Sequence, residues 1–496
     1  MIAMTLGEIA TIVGGRLAGG ASASARVSAP VEFDSRKIAA GGLFLAFAGE
    51  HVDGHDYAAT AIASGAVAAI VTRPVDAPSI VVGDAHAALA ALAAAVARRL
   101  PATTVIAVTG SSGKTSTKDL LAQVLSTVGS TVAPPESFNN ELGHPYTVLL
   151  ASAATRFLVL ETSARGLGHI RYLTQIAPPR IGVVLNVGSA HLGEFGSREA
   201  IASAKGELVE ALPDAAEGGV AILNADDPLV MAMAPRTTAR IVTVGESVRA
   251  EVRAGEVSVD ELGRPRFRLS VGDESVPVRL RLSGEHHVGN ALAAAAVGLE
   301  CGMDLAAVGA ALSAAETRSR WRMELTERTD GVLIVNDSYN ANPESMRAAL
   351  KSLAAIARAG DGRRRSWAVL GPMAELGPDA AAEHDAIGRL AVRLDISRLI
   401  AVGEVARPIA HGAALEGSWN GEAVWVADTA AAAELLDEQL RPGDVVLVKA
   451  SRSARLERLA LLLAGDAHRA AGRRNRNAAN PGMTNPSDLD GGGSRQ

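Results

Sequence analysis

From Thr103 onward the chain alternates short, continuously apolar runs with Ala/Leu-rich stretches: TTVIAVTG, RFLVLETS, RIGVVLNVG, GVAILNADD and IVTVG stand as strands between helices. Runs that are apolar at every position belong to strands buried on both faces, so the pattern predicts a parallel sheet covered by helices. The pattern then changes. RAGEVSVDELGRPRFRLSVGDESVPVRLRL alternates polar and apolar residues, with turn formers at Gly255, Gly263 and Gly272, and reads as antiparallel hairpins added to that sheet. Ala291 to Leu299 reads as a helix. A second α/β series, GVLIVNDS, SWAVLGPM, SRLIAVGE, AVWVAD and DVVLVKAS, predicts a further domain beginning near Glu316. Ahead of Thr103, GLFLAF, AVAAIV and PSIVV supply strands for a smaller, separate unit. The expected layout is α/β in three domains, residues 1–102, 103–315 and 316–465, followed by a polar, Gly-rich tail over 466–496 that should be disordered.

The length of 496 residues agrees with three domains, at ~100–200 residues for each. With 48% hydrophobic and 21% charged residues, the composition is that of an ordinary globular protein with ample core. The 48 basic and 54 acidic residues leave a net charge of −6, which argues against a broad basic face for nucleic acid while allowing a local pocket for a phosphate. Aromatic residues, at 3%, are too scattered for a base-stacking surface. Cys301 is the only cysteine, so an intrachain disulfide and a multi-cysteine metal cage are excluded, and a reducing compartment fits. The start, MIAMTLGEIATIVGG, has Glu8 before its first basic residue, Arg16, and lacks the features of a signal peptide. Apolar stretches such as Ala87 to Ala97 fall short of the ~20 residues that span a bilayer. A cytoplasmic protein without membrane insertion or a nucleic-acid partner is expected.

The strongest local signal is TVIAVTGSSGKTSTKDLLAQVL. A strand ends at Thr109, a glycine-rich turn follows, and a helix opens with Leu120, Leu121, Val124 and Leu125 on one face. Gly110, Ser111, Ser112 and Gly113 would bring backbone amides to phosphate oxygens, with Ser116 in the helix's first turn. Lys114 would neutralise the β/γ-phosphates, Thr115 would offer its hydroxyl to Mg²⁺, and the helix N-terminus would add partial positive charge. The eight-residue pattern would need glycine at Val108, so this is a compact variant. It points to ATP or GTP.

Other residues are open to plain readings. Glu161 after RFLVL, His191 after GVVLNVG and Asp337 after GVLIVN stand at strand carboxyl ends, where open α/β sheets place ligands. Each could equally be a surface or turn residue. Lys205 in AKGE reads as a solvated helix lysine, Asn290 as a polar helix start, and RSRWR, with Arg318, Arg320 and Arg322, as a solvated basic run.

Taken together, NNELGHP from Asn139, Glu161, AHLGEFGS with His191, AKGE with Lys205, GEHHVGNALAAAA with Asn290, NDSYNANPESM with Asp337, GPMAELGP and KASRSARLE resemble the Mur ligases of peptidoglycan synthesis. The match is nearest to the type that adds D-alanyl-D-alanine to UDP-N-acetylmuramoyl tripeptide. It runs from about Thr5 to about Leu463, and NDSYNANP is its most discriminating piece. DSRKIAAGGLFLAFAGEHVDGHDYAATAIASGA, from Asp34, looks like the family's uridine-nucleotide domain. The resemblance implies a small N-terminal α/β domain for that nucleotide, a central P-loop sheet, and a Rossmann-like C-terminal domain for the dipeptide. It implies an ATP-dependent amide ligase, acting through an acyl phosphate, as a monomer.

It also implies residue roles. Thr115 and Glu161 would share one Mg²⁺; His191 and Lys205, the latter carbamylated by CO₂, would help hold a second. Asn290 would contact adenine, Asp337 the ribose, and Arg322 the γ-phosphate, with Arg318 and Arg320 as rivals for that last role. Ser35 and Arg36, with Asp34 and the loop Gly49 to His55, would serve the uridine nucleotide, and Asn139 and Asn140 the muramoyl peptide, with meso-diaminopimelate and lysine both compatible third residues. GPMAELG with His384, and Lys449 to Arg452, would face dipeptide and ATP. The chain departs from the family at Thr162 and Ser163 after Glu161, at His287, and at Ala450. Another amide ligase of this superfamily, such as a folylpolyglutamate-type enzyme, and a P-loop module that binds without turnover are the alternatives.

Overall fold

The computed structural model describes residues 1–49, 52–189, 192–359, 364–416 and 422–465; the expected tail lies outside the described residues. Three large sheets follow one another along the chain, each flanked by helices, and Met4–Thr5 pairs with Arg26–Val27 in a further two-stranded sheet. The N-terminal sheet has five strands in the order Arg16–Ala18, Ser79–Val81, Ala68–Val71, Leu43–Leu45, Val31–Glu32, parallel except for the first pairing. The central sheet has nine strands, ordered Glu274–Arg279, Pro265–Val271, Val252–Val259, Arg240–Gly245, Val220–Asn224, Ile181–Val184, Thr104–Thr109, Phe157–Glu161, Thr131–Val132. Its pairings are parallel from Val252–Val259 onward, and the first two strands are the expected antiparallel addition. The C-terminal sheet has six, ordered Glu324–Glu327, Leu333–Asn336, Val445–Lys449, Ser366–Leu370, Arg398–Val402, Ala423–Val426, with only the first antiparallel to its neighbour. The α/β class is the one expected. No helix among the described residues is long and apolar enough to cross a membrane.

Within the three large sheets, the strands that the pattern did not mark are Arg16–Ala18, Val31–Glu32, Thr131–Val132 and Glu324–Glu327. All four lie at sheet edges, where one side has no strand partner and burial is incomplete, so the apolar run that marks a central strand is absent. Gly255 is a further difference. It sits inside the strand Val252–Val259, beside a register shift between Gly255 and Ser258, whereas Gly263 and Gly272 do make the turns, in the left-handed region.

The phosphate-loop helix, Lys114–Ser126, buries Leu120, Leu121, Val124 and Leu125 completely against the central strands and the helix His287–Glu300. Ala291 and Ala293 to Ala296 on that second helix are small and buried, which lets the two helices approach closely. The other side of Lys114–Ser126 holds the chain that leads to the C-terminal sheet. Asp119 accepts from Ser319 N at 3.1 Å, and Gln123, one turn later, exchanges hydrogen bonds with the Glu316 backbone at 2.9 and 3.0 Å. Asp119 is also paired with Lys118 at 2.5 Å, both buried. Replacing Asp119 with alanine would leave the buried Lys118 ammonium without its counter-charge, with the Pro134 carbonyl at 3.0 Å, and would free Ser319 N. Asp119→Ala should therefore destabilise the unfolding transition that contains this helix by about 3 kcal/mol, measured in urea; an unchanged midpoint would show that the pair contributes nothing.

Candidate active site

Strand register levels the site. Glu161 pairs with Val108, and Val184 with Thr109, so the phosphate loop, Glu161 and the segment after Val184 emerge together at the carboxyl edge of the central sheet. Within the loop, Ser112 N donates to Asn186 Oδ1 at 2.9 Å and Ser111 Oγ accepts from Gly188 N at 2.8 Å. Gly113 has φ +82°, and a Cβ there would lie 2.5 Å from Asn290 Oδ1. Lys114 Nζ donates to Gly110 O at 2.6 Å. Desolvation lowers the Lys114 pKa; Glu161 opposes that shift and Arg322 adds to it. Ser116 follows, partly exposed, in the helix's first turn.

Thr115 is the hub. Its hydroxyl donates to Glu161 Oε2 at 3.0 Å, lies 2.6 Å from Ser137 Oγ, and accepts from Arg322 Nη2 at 2.9 Å. Arg322 Nη2 also donates to Ser137 Oγ at 2.9 Å, and its guanidinium stacks 4.3 Å over Tyr339. Trp321 and Met323, on either side, hold left-handed backbone angles of +60° and +50°, a strained geometry of the kind found where a side chain is re-aimed. Arg318 and Arg320 are exposed, so among the three arginines it is Arg322 that reaches the loop. Glu161, 1% exposed, takes its second hydrogen bond from Asn139 Nδ2 at 2.8 Å.

Lys205 projects from the helix Arg198–Glu210 and is buried, in contrast to the plain reading as a solvated lysine. Burial, followed by the charge of Lys114, pushes its pKa well below the usual lysine range, and among the described residues nothing bonds its amine. His191 lies outside the described residues. Beside the loop, Asn186, Asn224, Asp226, Glu285 and Asn290 line a cavity of about 540 Å³, closed on its far side by the helix Pro343–Arg358. This is room for an adenosine-sized group.

Family comparison fits the same three-part layout. The Mur ligase family catalytic domain matches residues 30–111, the Mur ligase middle domain 108–298, and the Mur ligase glutamate ligase domain 321–452. The UDP-N-acetylmuramoyl-tripeptide--D-alanyl-D-alanine ligase of Mycobacterium tuberculosis is 54% identical, over 94% of this chain and 98% of its own. The chain belongs to the Mur ligase family. The enzyme of the same description from Escherichia coli is 36% identical over 92% of this Mur ligase and 97% of its own length. Among solved structures, MurF from Acinetobacter baumannii superposes with a TM-score of 0.82 at 31% identity, covering 93% of this chain and 99% of its own. MurF ligase from Thermotoga maritima in complex with ADP gives 0.75 at 29%, over 89% and 99%.

Elsewhere in this Mur ligase, several expected site residues are held by the protein itself. Asp337 accepts from Lys449 Nζ at 2.7 Å and from Met323 N at 3.1 Å. His384 is fully buried, bonding Met373 N and Ala380 O, and so shapes the GPMAELG loop from behind. Asn140 caps the helix Gly143–Leu149 through Gly143 N at 2.8 Å. Ser35 is buried, and Arg36, 59% exposed, is tied to Asp34 through two 2.8 Å hydrogen bonds. His55 is buried between Asp53 and Thr72. The departures have local reasons. Thr162 is buried and donates to Val108 O; Ser163 donates to Asn139 Oδ1; Ala450 packs against Gly371. Burial keeps the His287 pKa well below its usual value, and its Nδ1 lies 3.3 Å from Asn290 Nδ2.

Sequence reasoning missed Ser137, Tyr339 and the Glu344–Ser189 contact, in which Glu344 Oε1 accepts from Ser189 N at 2.7 Å and Oγ at 2.9 Å. NDSYNANPESM, which contains Tyr339 and Glu344, carried a signal without giving either residue a role. Gly113→Ala should weaken ADP binding by about tenfold or more, since the new methyl meets Asn290 and costs roughly 1–2 kcal/mol of backbone strain. Calorimetric titration checks this, and unaltered affinity would exclude the loop as the nucleotide site.

Proposed function

We propose that this Mur ligase joins D-alanyl-D-alanine to UDP-N-acetylmuramoyl tripeptide, with ATP converted to ADP and phosphate, in peptidoglycan precursor synthesis. The observation that carries the reading is the convergence of Lys114, Thr115, Glu161 and Arg322, drawn from three separate segments, on one point of the phosphate loop. The kinship with UDP-N-acetylmuramoyl-tripeptide--D-alanyl-D-alanine ligases along nearly the whole chain supports these substrates.

The chemistry follows from leaving groups. A carboxylate is a poor acyl donor because oxide leaves poorly. Transfer of the γ-phosphoryl group to it gives an acyl phosphate, and the dipeptide amine then attacks, with phosphate leaving from the tetrahedral intermediate. The first step needs positioning and charge neutralisation above all. Lys114 sits where it can exchange the Gly110 carbonyl for phosphate oxygens, and Arg322 lies across the same loop. The buried Glu161 carboxylate and the Thr115 hydroxyl are hard oxygen donors, which fits Mg²⁺. Bound there, Mg²⁺ would neutralise charge on the phosphates. Lys205, whose pKa burial lowers well below the usual lysine range, is assigned to add CO₂ and as a carbamate would hold a second ion with His191.

Asn290 and Asp337 are assigned to the adenine and ribose, the latter after release from Lys449. Ser35 and Arg36 are assigned to the uridine nucleotide, and Asn139 and Asn140 to the muramoyl peptide. The domains 1–102, 103–315 and 316–465 take the nucleotide sugar, ATP and the dipeptide in turn. A monomer that works in the cytoplasm, with ATP and a UDP-linked substrate, is part of this proposal.

Purified protein given ATP, Mg²⁺, the dipeptide and the tripeptide nucleotide should release ADP, phosphate and the UDP-linked pentapeptide. Lys114→Ala should lower that rate by about 10²–10³-fold with folding preserved. Product with a single amino acid in place of the dipeptide would indicate a sibling ligase, and nucleotide binding without turnover would indicate a binding module.

A further inference from the structure

Ser137 belongs to none of the motifs that point to the reaction, yet it stands between two of its principal groups. Its hydroxyl is 2.6 Å from Thr115 Oγ1 and 2.9 Å from Arg322 Nη2, while Thr115 Oγ1 itself donates to Glu161 at 3.0 Å. The proton count is determinate. Thr115 has one hydroxyl hydrogen and gives it to Glu161, so Ser137 must donate to Thr115, which also accepts from Arg322 at 2.9 Å. Both lone pairs of Thr115 Oγ1 are then engaged. A divalent cation approaching that oxygen needs one of them, and Arg322, a cation itself, is the group whose presence there is least favourable.

We propose that Ser137 is a positioning residue that keeps Arg322 at the phosphate loop when Thr115 turns its oxygen to the divalent cation. Ser137 Oγ has lone pairs of its own and already accepts from the same Nη2 group, so the guanidinium can leave Thr115 without leaving the site. The Tyr339 ring beneath it, at 4.3 Å, limits movement to that short swing. Without the hydroxyl, Arg322 retains Thr115 as its sole side-chain acceptor among the described residues, and guanidinium and cation compete for one oxygen. This inference rests on the reading of Thr115 and Glu161 as the Mg²⁺ donors.

The test is calorimetric binding of the β,γ-imido analogue of ATP to the full-length protein, with Mg²⁺ and with a chelator, beside steady-state ligase kinetics. Ser137→Ala should weaken binding about tenfold with Mg²⁺ and leave it unchanged with chelator. Its KM for ATP should rise while kcat stays within about twofold, and Ser137→Thr should restore both. Equal weakening under both conditions, no weakening, or failure of the threonine variant to restore binding would overturn the proposal. Wild-type protein that binds the analogue but makes no pentapeptide would instead overturn the ligase reading, and the Ser137 comparison would still be measurable by binding.

Discussion

The Thr115 hydroxyl is the point on which the site depends. A hydroxyl can give one hydrogen and accept two, and here all three places are used, by Glu161, Ser137 and Arg322. Each partner comes from a different part of the fold: the strand end next to the loop's own strand, the segment after the edge strand Thr131–Val132, and the start of the C-terminal region. Their meeting requires the parallel register that brings Glu161 level with Val108, and it requires the anchoring of residues 316–319 on the phosphate-loop helix. Loss of either would leave the same side chains in the molecule and no site.

The C-terminal sheet reaches the central one through polar contacts concentrated at this edge. Besides Arg322, Asn342 donates to Ser111 O at 3.3 Å, Glu344 accepts from Ser189, and Gly193 N donates to Glu375 O at 3.3 Å. Of these residues Glu344 also lines the cavity. At this edge Lys114 is held by the Gly110 carbonyl, and Asp337 by the Lys449 ammonium. Asp337 and Lys449 compensate each other's charge there.

Much of the fold was legible because burial on both faces leaves an unambiguous record. Runs such as VIAV, FLVL and VVLV had to be central parallel strands, and Leu120, Leu121, Val124 and Leu125 had to be the inner face of a helix. Edge strands left no such record. In the site, the glycine-rich loop was legible since phosphate binding by backbone amides demands a glycine-bearing turn at a helix start. Arg322 could not be separated from Arg318 and Arg320 by their local sequence. The left-handed backbones of Trp321 and Met323 decide which of the three turns inward, and that geometry is set by the fold around them.

Sequence alone determined the order of strands and helices, the phosphate loop, and the motifs of a Mur ligase, all of which are encoded in residues close together along the chain. Tertiary structure decided which groups share atoms. Ser137 and Thr115 are 22 positions apart, and Thr115 and Arg322 are 207 apart. No local pattern relates residues so separated, because a hydrogen bond between them carries no periodicity and depends only on where packing brings the segments together. The same reason accounts for Lys205, which local composition makes a solvated residue and packing makes a buried amine.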